Sequence, residues 1–171
     1  YDGLLLRART EEQALHIIRE SMDSTMGIYA FDEGGRLVGL AGLGRKGRGF
    51  IKYSWSLLIR EFGLGGAIVR KLIKFFEGGL LKEGQLRIEG LVVATAFQGQ
   101  GIGTTLMHGV FEKAKRDGFR SICLEVINSN PRARKLYHRL GFQDTGKVYF
   151  GVITRQAGFN SIWRMKKTLS P

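Results

Sequence analysis

Midway along the chain, a glycine-rich stretch reads Gln98-Gly99-Gln100-Gly101-Ile102-Gly103-Thr104. An apolar run at residues 86–95 precedes it and predicts a strand, and an amphipathic run at residues 104–117 follows it and predicts a helix. Where a strand passes through a glycine loop into a helix, backbone N–H groups and the positive end of the helix dipole form an anion site. We therefore expect this stretch to bind a phosphate-bearing ligand.

Two common phosphate loops fit these glycines poorly. A Walker loop needs Gly-Lys followed by Ser or Thr, and the absence of a lysine here argues against a nucleotide triphosphatase. A dinucleotide-binding loop needs G-x-G-x-x-G, whereas Gly103 comes one position too early for the third glycine, which weakens an oxidoreductase interpretation. Taken by itself, the loop also allows a glycine turn that binds nothing.

A second patterned stretch begins about 30 residues downstream and reads Asn130-Pro131-Arg132-Ala133-Arg134-Lys135-Leu136-Tyr137. Asn130 and Pro131 suit the N-cap and first position of a helix, and Gly141 follows the expected helix end. An apolar run at residues 121–127 predicts a strand before this helix. The middle of the chain is therefore expected to alternate strand, helix, strand, helix.

Working outward, the rest of the chain predicts further elements around this unit. Strands are expected at residues 4–9, 28–31, 37–43, 145–154 and 159–167, the second and third as a hairpin and the last two as an antiparallel pair. Helices are expected after Thr10 and at residues 55–62 and 66–77, with a loop at 45–53. Glycines at 63, 65 and 66 separate the last two helices.

Together, the two motifs resemble those of the Gcn5-related N-acetyltransferase (GNAT) family. Gln98-x-x-Gly101-x-Gly103 is similar to the family's pyrophosphate loop, (Gln/Arg)-x-x-Gly-x-(Gly/Ala). Asn130 to Tyr137, followed by Gly141-Phe142, is similar in spacing and residue type to its second motif. The resemblance covers residues 86–142.

The resemblance implies an α/β (α+β) fold with a mixed, mostly antiparallel central sheet flanked by helices. Residues 45–84 depart from the family's usual short link and are expected to form a helical insertion before the fourth strand, where Trp55 and Phe62 form either an acceptor lid or part of the core. A length of 171 residues predicts one acetyltransferase-like domain, residues 1–171, with its acetyl-CoA-binding core at 86–142.

In function, the resemblance implies an acetyl-CoA-dependent N-acetyltransferase that moves the acetyl group to a primary amine by direct attack through a tetrahedral intermediate. The pyrophosphate would lie on the amides of residues 98–104, and pantetheine would lie where the strand at 91–93 splays from the strand ending at 127. The cosubstrate-binding residues so implied are Leu91, Val92, Val93, Gln98, Gly99, Gln100, Gly101, Ile102, Gly103, Thr104, Asn130, Ala133 and Tyr137. Helix capping by itself also explains Asn130.

Three groups are expected to carry the chemistry. The resemblance implies that the Val93 N–H faces the thioester oxygen, where charge develops, and that Tyr137 is the general acid that protonates the coenzyme A thiolate. The alternative for Tyr137 is a core aromatic. Glu89 is the candidate base, four residues before Val93 and expected on the same strand face, with a surface carboxylate as its alternative.

Composition and charge limit the classes of partner, cellular location and metal site that this chain can have. The net charge is +12, and residues 45–87 hold 10 basic and 3 acidic side chains, which favours a polyanionic partner and argues against a polycationic acceptor. The single cysteine, Cys123, supports no disulfide framework, so a cytoplasmic location is expected, and no metal site is expected. No apolar run reaches the ~18 residues of a membrane span.

The expected partners are coenzyme A and a small-molecule or peptide amine. No stable nucleic acid partner is expected, and a second copy of the chain, forming a homodimer, is a further candidate partner. A non-catalytic acyl-CoA or nucleic-acid binding module on the same fold is the alternative, and Arg45, Lys46 and Arg48 are its support. No motif identifies the acceptor, which we expect residues 10–35 and 45–84 to recognise.

Overall fold

A computed structural model of the chain describes residues 11–52, 54–78, 81–150 and 158–169. The strands are β1 (Gly27–Phe31), β2 (Leu37–Arg45), β3 (Arg48–Gly49), β4 (Gln85–Val93), β5 (Ser121–Ile127), β6 (Gln143–Tyr149) and β7 (Ser161–Thr168). The helices are α1 (Glu11–Ser21), α2 (Trp55–Gly78), α3 (Ile102–Arg116) and α4 (Pro131–Arg139).

These strands form one seven-stranded sheet in the order β1-β2-β4-β5-β7-β6, with β3 paired to β2. Only β4 and β5 are parallel among the described pairs. A parallel pair needs a crossover connection, and α3 supplies it. The sheet is therefore mixed and mostly antiparallel, with a helical insertion before β4, and the predicted fold class is confirmed.

The main hydrophobic core lies between the sheet and the two helices α3 and α4. Helix α3 has the 3.6-residue apolar period predicted from the sequence, so one of its faces is buried against the strands. The buried members of this core from α3 and from strands β2, β4, β5 and β7 are Ala41, Leu43, Leu86, Ile88, Leu106, Met107, Val110, Phe111, Ala114, Ile122, Leu124, Val126 and Met165. This face of the sheet is consequently filled by the protein's own side chains.

A second, smaller core joins α1 to α2. It contains Ile17, Leu57, Leu58 and Ala67, with Phe62 packed against them. The side-chain amide of Gln13 donates to Glu61 Oε2 at 3.1 Å across the same contact. For Phe62 the core alternative therefore holds, whereas Trp55 is 48% exposed and its lid role stays a prediction.

Most predicted elements agree with the observed ones to within a few residues. The helical break falls at Gly63, whose φ of 70° and ψ of 172° interrupt α2. The segment predicted as a loop at 45–53 contains the short strand β3, which extends the β2 hairpin. The predicted strand at 4–9, the Thr10 cap and residues 151–154 of the predicted strand at 145–154 lie outside the described residues.

Candidate active site

The central feature of the site is a gap between two parallel strands. Pairing of β4 with β5 begins at Gln85 and Ser121 and ends at Ile88 and Leu124, although β4 continues to Val93. Opposite β2, the register of β4 shifts at the same place: Gly42 pairs with Gly90, and Leu43 pairs with Ile88. Glu89 is thus the extra residue of a β-bulge, and a bulge bends its strand away from its neighbour.

Backbone groups of β4 point into this gap. The N–H of Ala94 donates to Val38 O at 2.9 Å, toward β2. Because successive N–H groups of a strand point to opposite edges, those of Val93 and Leu91 point away from β2 and into the gap. The backbone of Val92 points toward β2, so of the three predicted contact residues on this strand only Leu91 and Val93 direct backbone groups to the gap.

The glycine loop closes one end of the gap. Gly99 has a φ of 80° and Gly101 a φ of 85°, a left-handed conformation that glycine adopts without strain. A Cβ added at either position would meet no atom of the residues described above within 4 Å. Gly101 caps α3 without a side-chain hydrogen bond, which leaves the first N–H groups of the helix without an acceptor inside it.

Two glutamines hold the loop against the end of β4. The Gln98 side-chain amide donates to Val93 O at 3.0 Å, and that of Gln100 donates to Ala96 O at 3.2 Å. With open space beside its glycines and unpaired amides at its end, the loop fits a pyrophosphate group. Ile102 contributes backbone to this surface, because its side chain packs toward Gly39 of β2.

The two sequence motifs meet at Gly103. A Cβ added there would lie 3.8 Å from Leu136 Cδ2 on α4 and 3.9 Å from Val93 Cγ2 on β4. At the start of α4, Asn130 Oδ1 accepts a hydrogen bond from the Ala133 N–H at 3.0 Å. The predicted cap is therefore confirmed, and it uses only the oxygen, so the Nδ2 group can donate to a ligand in the gap.

Tyr137 follows Leu136 and is 7% exposed. Its ring lies against Phe142, with the centroids 5.9 Å apart. Burial raises the pKa of the Tyr137 phenol from 10.0 to about 12, because the charged phenolate would lose its hydration. The residue is both a core aromatic and a phenol that keeps its proton at neutral pH, so the two alternatives for it are compatible.

The structure corrects the predicted orientation of Glu89. Val93 pairs with Gly39, which faces α3, because a Cβ there would lie 3.1 Å from Leu106 Cδ1. The Glu89 carboxylate lies on the opposite face, against Gly44 and Gly49. Regular alternation would put residues 89 and 93 on one face, but the bulge reverses the alternation between them.

In its observed position, the Glu89 carboxylate is turned toward the β2–β3 hairpin. Its Oε2 accepts a hydrogen bond from the Ile51 N–H at 3.3 Å. A Cβ at Gly44 or Gly49 would lie less than 3 Å from it, so these glycines provide the room for the side chain. To reach an amine in the gap, the carboxylate has to rotate or act through water.

A second carboxylate at the gap, that of Glu125 on β5, was not predicted from the sequence. It directly follows Leu124, the last β5 residue paired with β4, and it lies on the face away from the core. Arg164 Nε donates to its Oε1 at 3.1 Å, yet burial is the larger effect and raises its pKa above the usual value. In the sequence, Glu125 could have been recognised as the single acidic residue within the apolar run 121–127.

Comparison with known proteins places the chain in a family. The sequence model of the acetyltransferase (GNAT) family matches residues 5–142. This chain belongs to the GNAT family. The match confirms the resemblance drawn from the two motifs and extends it over the N-terminal half.

Two curated relatives of this GNAT chain are named as N-acetyltransferases. It is 32% identical over 82 residues to N-acetyltransferase 8B of Homo sapiens, a match that covers 48% of this chain and 36% of that protein. It is 37% identical over 78 residues to probable N-acetyltransferase camello of Xenopus laevis, covering 44% of this chain and 36% of that protein. The chain thus matches little more than a third of the length of these relatives.

Solved structures share the fold over most of the chain. A GCN5-related N-acetyltransferase from Kribbella flavida superposes with a TM-score of 0.60 and 22% identity, covering 91% of this chain and 77% of that one. The ribosomal-protein-S18-alanine N-acetyltransferase of Escherichia coli has a TM-score of 0.55 and 16% identity, covering 94% and 88%. At these identities the likeness shows the fold of the GNAT chain.

Other features of the described residues bear on the remaining alternatives. Two of the three basic residues behind the nucleic-acid alternative are in ion pairs: Lys46 Nζ lies 2.9 Å from Glu83 Oε1, and Arg48 lies 2.8 Å from Asp23 Oδ2. Among the described helices, none is long and apolar enough to cross a membrane. The same residues contain no group of three His, Cys, Asp or Glu side chains suited to a metal ion.

Proposed function

We propose that this GNAT chain is an acetyl-CoA-dependent N-acetyltransferase that acts on a primary amine by direct attack on the thioester. The observation that carries the proposal is the strand gap, into which the N–H groups of Leu91 and Val93 point beside the glycine loop. These groups can hold an extended thioester arm next to a phosphate, and we assign the proton donor to Tyr137 from its place in the second motif. The named relatives, all N-acetyltransferases, support the reaction class.

On the cosubstrate side, backbone groups do most of the binding. The amides of residues 98–104 receive the pyrophosphate, and the gap-facing edge of β4 pairs with the pantetheine arm as a further strand would. Asn130 Nδ2 donates to the same arm while Oδ1 remains the helix cap. Acetyl-CoA supplies the activated acetyl group, and the protein supplies its position.

At the reacting carbon, the Val93 N–H donates to the oxygen on which negative charge develops. Such a donor typically stabilises a transition state by ~3 kcal/mol, because its position is set before the reaction. Tyr137 then gives its proton to the departing thiolate. A buried phenol with a pKa of about 12 is fully protonated at neutral pH and ready for this step.

Deprotonation of the attacking amine needs a base, for which the chain offers two carboxylates. Glu89 is the residue predicted from the sequence, and its carboxylate reaches the gap by rotation or through water. Glu125 lies at the point where β5 leaves β4, and its raised pKa makes it a stronger base than an ordinary glutamate. We propose Glu125 as the direct acceptor of the proton and Glu89 as a group that acts through water.

A direct test combines release of free coenzyme A thiol with mass analysis of the amine, using acetyl-CoA and a panel of primary amines. A non-catalytic binding module would bind acetyl-CoA and release no thiol beyond the rate without protein. In the same assay, Glu125→Gln is expected to lower turnover by roughly 10²-fold, and Glu89→Gln by less. Equal losses for the two variants, or none for Glu125→Gln, would contradict the division of roles.

Four further expectations remain predictions. They are a cytoplasmic location, a homodimer, the organisation of residues 1–171 as a single domain, and a chemistry that uses no metal. Cell fractionation, light scattering, limited proteolysis and activity after chelation test them in turn.

A further inference from the structure

The two faces of the strand gap differ in what covers them. On one face, α3 and α4 pack on the strands, and the Val93 side chain lies against them near Gly103. That side also holds the glycine loop and the Asn130 cap, to which the proposed function assigns the cosubstrate. A second substrate therefore has to approach the reacting carbon from the opposite face.

On that opposite face, β4 presents an open position at Gly90. Gly90 pairs with Gly42, and side chains of paired residues lie on the same face of a sheet. At Gly42 the space is already filled, because an added Cβ would lie 2.6 Å from the Phe50 ring. At Gly90 an added Cβ would meet no atom of the described residues within 4 Å, so these residues leave the surface there open to a ligand.

The surroundings of Gly90 on this face are apolar. Val92, two residues along β4, is 58% exposed although it lies on a central strand. Phe50 covers the neighbouring strand, and Ile51 follows it beside the Glu89 carboxylate. Exposed apolar surface next to a reaction centre is what a ligand covers when it binds.

The charges near Gly90 favour an amine and disfavour a second anionic group. Glu89 is adjacent in the chain, and Glu125 lies across the start of the gap, so an ammonium group finds two carboxylates there. Three guanidinium groups of the described residues lie near this face and already have partners: Arg48 pairs with Asp23, Arg164 pairs with Glu125, and Arg87 lies beside Cys123 and Glu125. A carboxylate on the acceptor would have to compete with these partners for a cation.

We propose that the acceptor crosses β4 over Gly90, and that Gly90 and Val92 select primary amines attached to a slender apolar group. Gly90 sets the width of the path, because any side chain there would stand in it. Val92 supplies the apolar contact that binding covers. This inference rests on the proposed acetyl transfer and names the substrate class of the same site.

The test uses hexylamine, 6-aminohexanoate and 1,6-diaminohexane as acceptors, with thiol release as the readout and the purified 171-residue chain as the enzyme. Wild type is expected to prefer hexylamine over the other two by at least about tenfold in kcat/KM. Gly90→Val is expected to lower kcat/KM for hexylamine by about tenfold or more, with acetyl-CoA affinity unchanged. Gly90→Ala should lower it by a smaller factor.

Gly146→Val is the matched control. Gly146 also lies in a strand, β6, and a Cβ added there likewise meets no atom within 4 Å in the part of the chain that the structure describes. Both variants should retain the melting temperature of wild type, since valine favours strands and neither glycine has a positive φ. The control should leave the kcat/KM of every amine unchanged.

The outcomes separate this inference from the proposed function. Thiol release with a preference for 6-aminohexanoate or the diamine, or an unchanged kcat/KM in Gly90→Val, overturns the inference and leaves acetyl transfer standing. Tight acetyl-CoA binding with no thiol release for any amine overturns both. Loss of acetyl-CoA affinity in Gly90→Val also overturns the inference, because it would place Gly90 on the cosubstrate side.

Discussion

Replacing Tyr137 with phenylalanine removes one hydroxyl from a buried ring and leaves its packing on Phe142 intact. General acids typically contribute 10²–10⁴-fold to a rate. Burial raises the pKa of this phenol from 10.0 to about 12, a difference that weakens it as an acid by about 3 kcal/mol relative to an exposed phenol. We therefore expect Tyr137→Phe to lower kcat by roughly 10²-fold, at the lower end of that range.

The assay is thiol release at saturating acetyl-CoA, with the acetyl-CoA dissociation constant measured separately by calorimetry. The dissociation constant is expected to stay within about twofold of wild type, because the hydroxyl is assigned to the departing thiolate and not to binding. Since the folded-state pKa lies above the free value of 10.0, Tyr137 keeps its proton until the pH approaches about 12. Loss of the Tyr137 proton should therefore not lower the wild-type rate between roughly pH 7 and 10.

Tyr149→Phe serves as the matched control, because Tyr149 lies on β6 and is 70% exposed. Unchanged turnover in Tyr137→Phe, or an equal loss in both variants, would refute the acid assignment. A loss of acetyl-CoA affinity by more than tenfold would show that the hydroxyl binds the cosubstrate. If the wild-type rate decreased at high pH with a pKa near 8 or 9, and Tyr137→Phe did not show this decrease, burial would not raise the pKa of the Tyr137 phenol as we infer.

Two further predictions concern the loop and the last helix. Gly101→Ala and Gly118→Ala both place a Cβ on a left-handed residue with open space beside it, so each should cost about 1 kcal/mol of stability; only Gly101→Ala should weaken acetyl-CoA binding in calorimetry. Asp144 is partly exposed, and its hydrogen bond with Arg134 lowers its pKa below 3.8. The ion pair with Arg134 stabilises the folded state by about 0.5–1 kcal/mol at a pH above 3.8, and this stabilisation is lost as the pH falls through the lowered pKa of Asp144. Thermal melts of Asp144→Asn and wild type should accordingly differ at pH 7, and the difference should shrink as the pH falls below 3.8.

Local patterns account for most of what could be predicted from the sequence. The apolar period of α3 predicted both the helix and its buried face, and Asn130-Pro131 predicted the start of α4. Glycines 63, 65 and 66 predicted the break in α2, and it falls at Gly63. Each of these features depends on a residue's own conformational preference or on neighbours three to four positions away, which a sequence displays directly.

The position of Glu89 shows where such reasoning fails. A bulge depends on how two strands pair. An isolated glycine inside a strand, such as Gly90, is compatible with a bulge, but it does not tell which residue of β4 lacks a partner on β2. Glu125 was missed for a related reason. Its raised pKa comes from burial among side chains of three strands, and its place at the gap depends on where β4 stops pairing with β5.

The sequence by itself determined the family, the order of strands and helices, and the two motifs that hold the proposed cosubstrate, because these depend on short-range residue patterns. Only the tertiary structure decided which carboxylates lie at the gap, on which face each one lies, and that Gly90 is open while Gly42 is filled. Those properties depend on strand register and on contacts between residues such as Gly42 and Phe50 or Glu89 and Ile51. Register is decided by the pairing of whole strands and the core they enclose, so a single segment does not carry it.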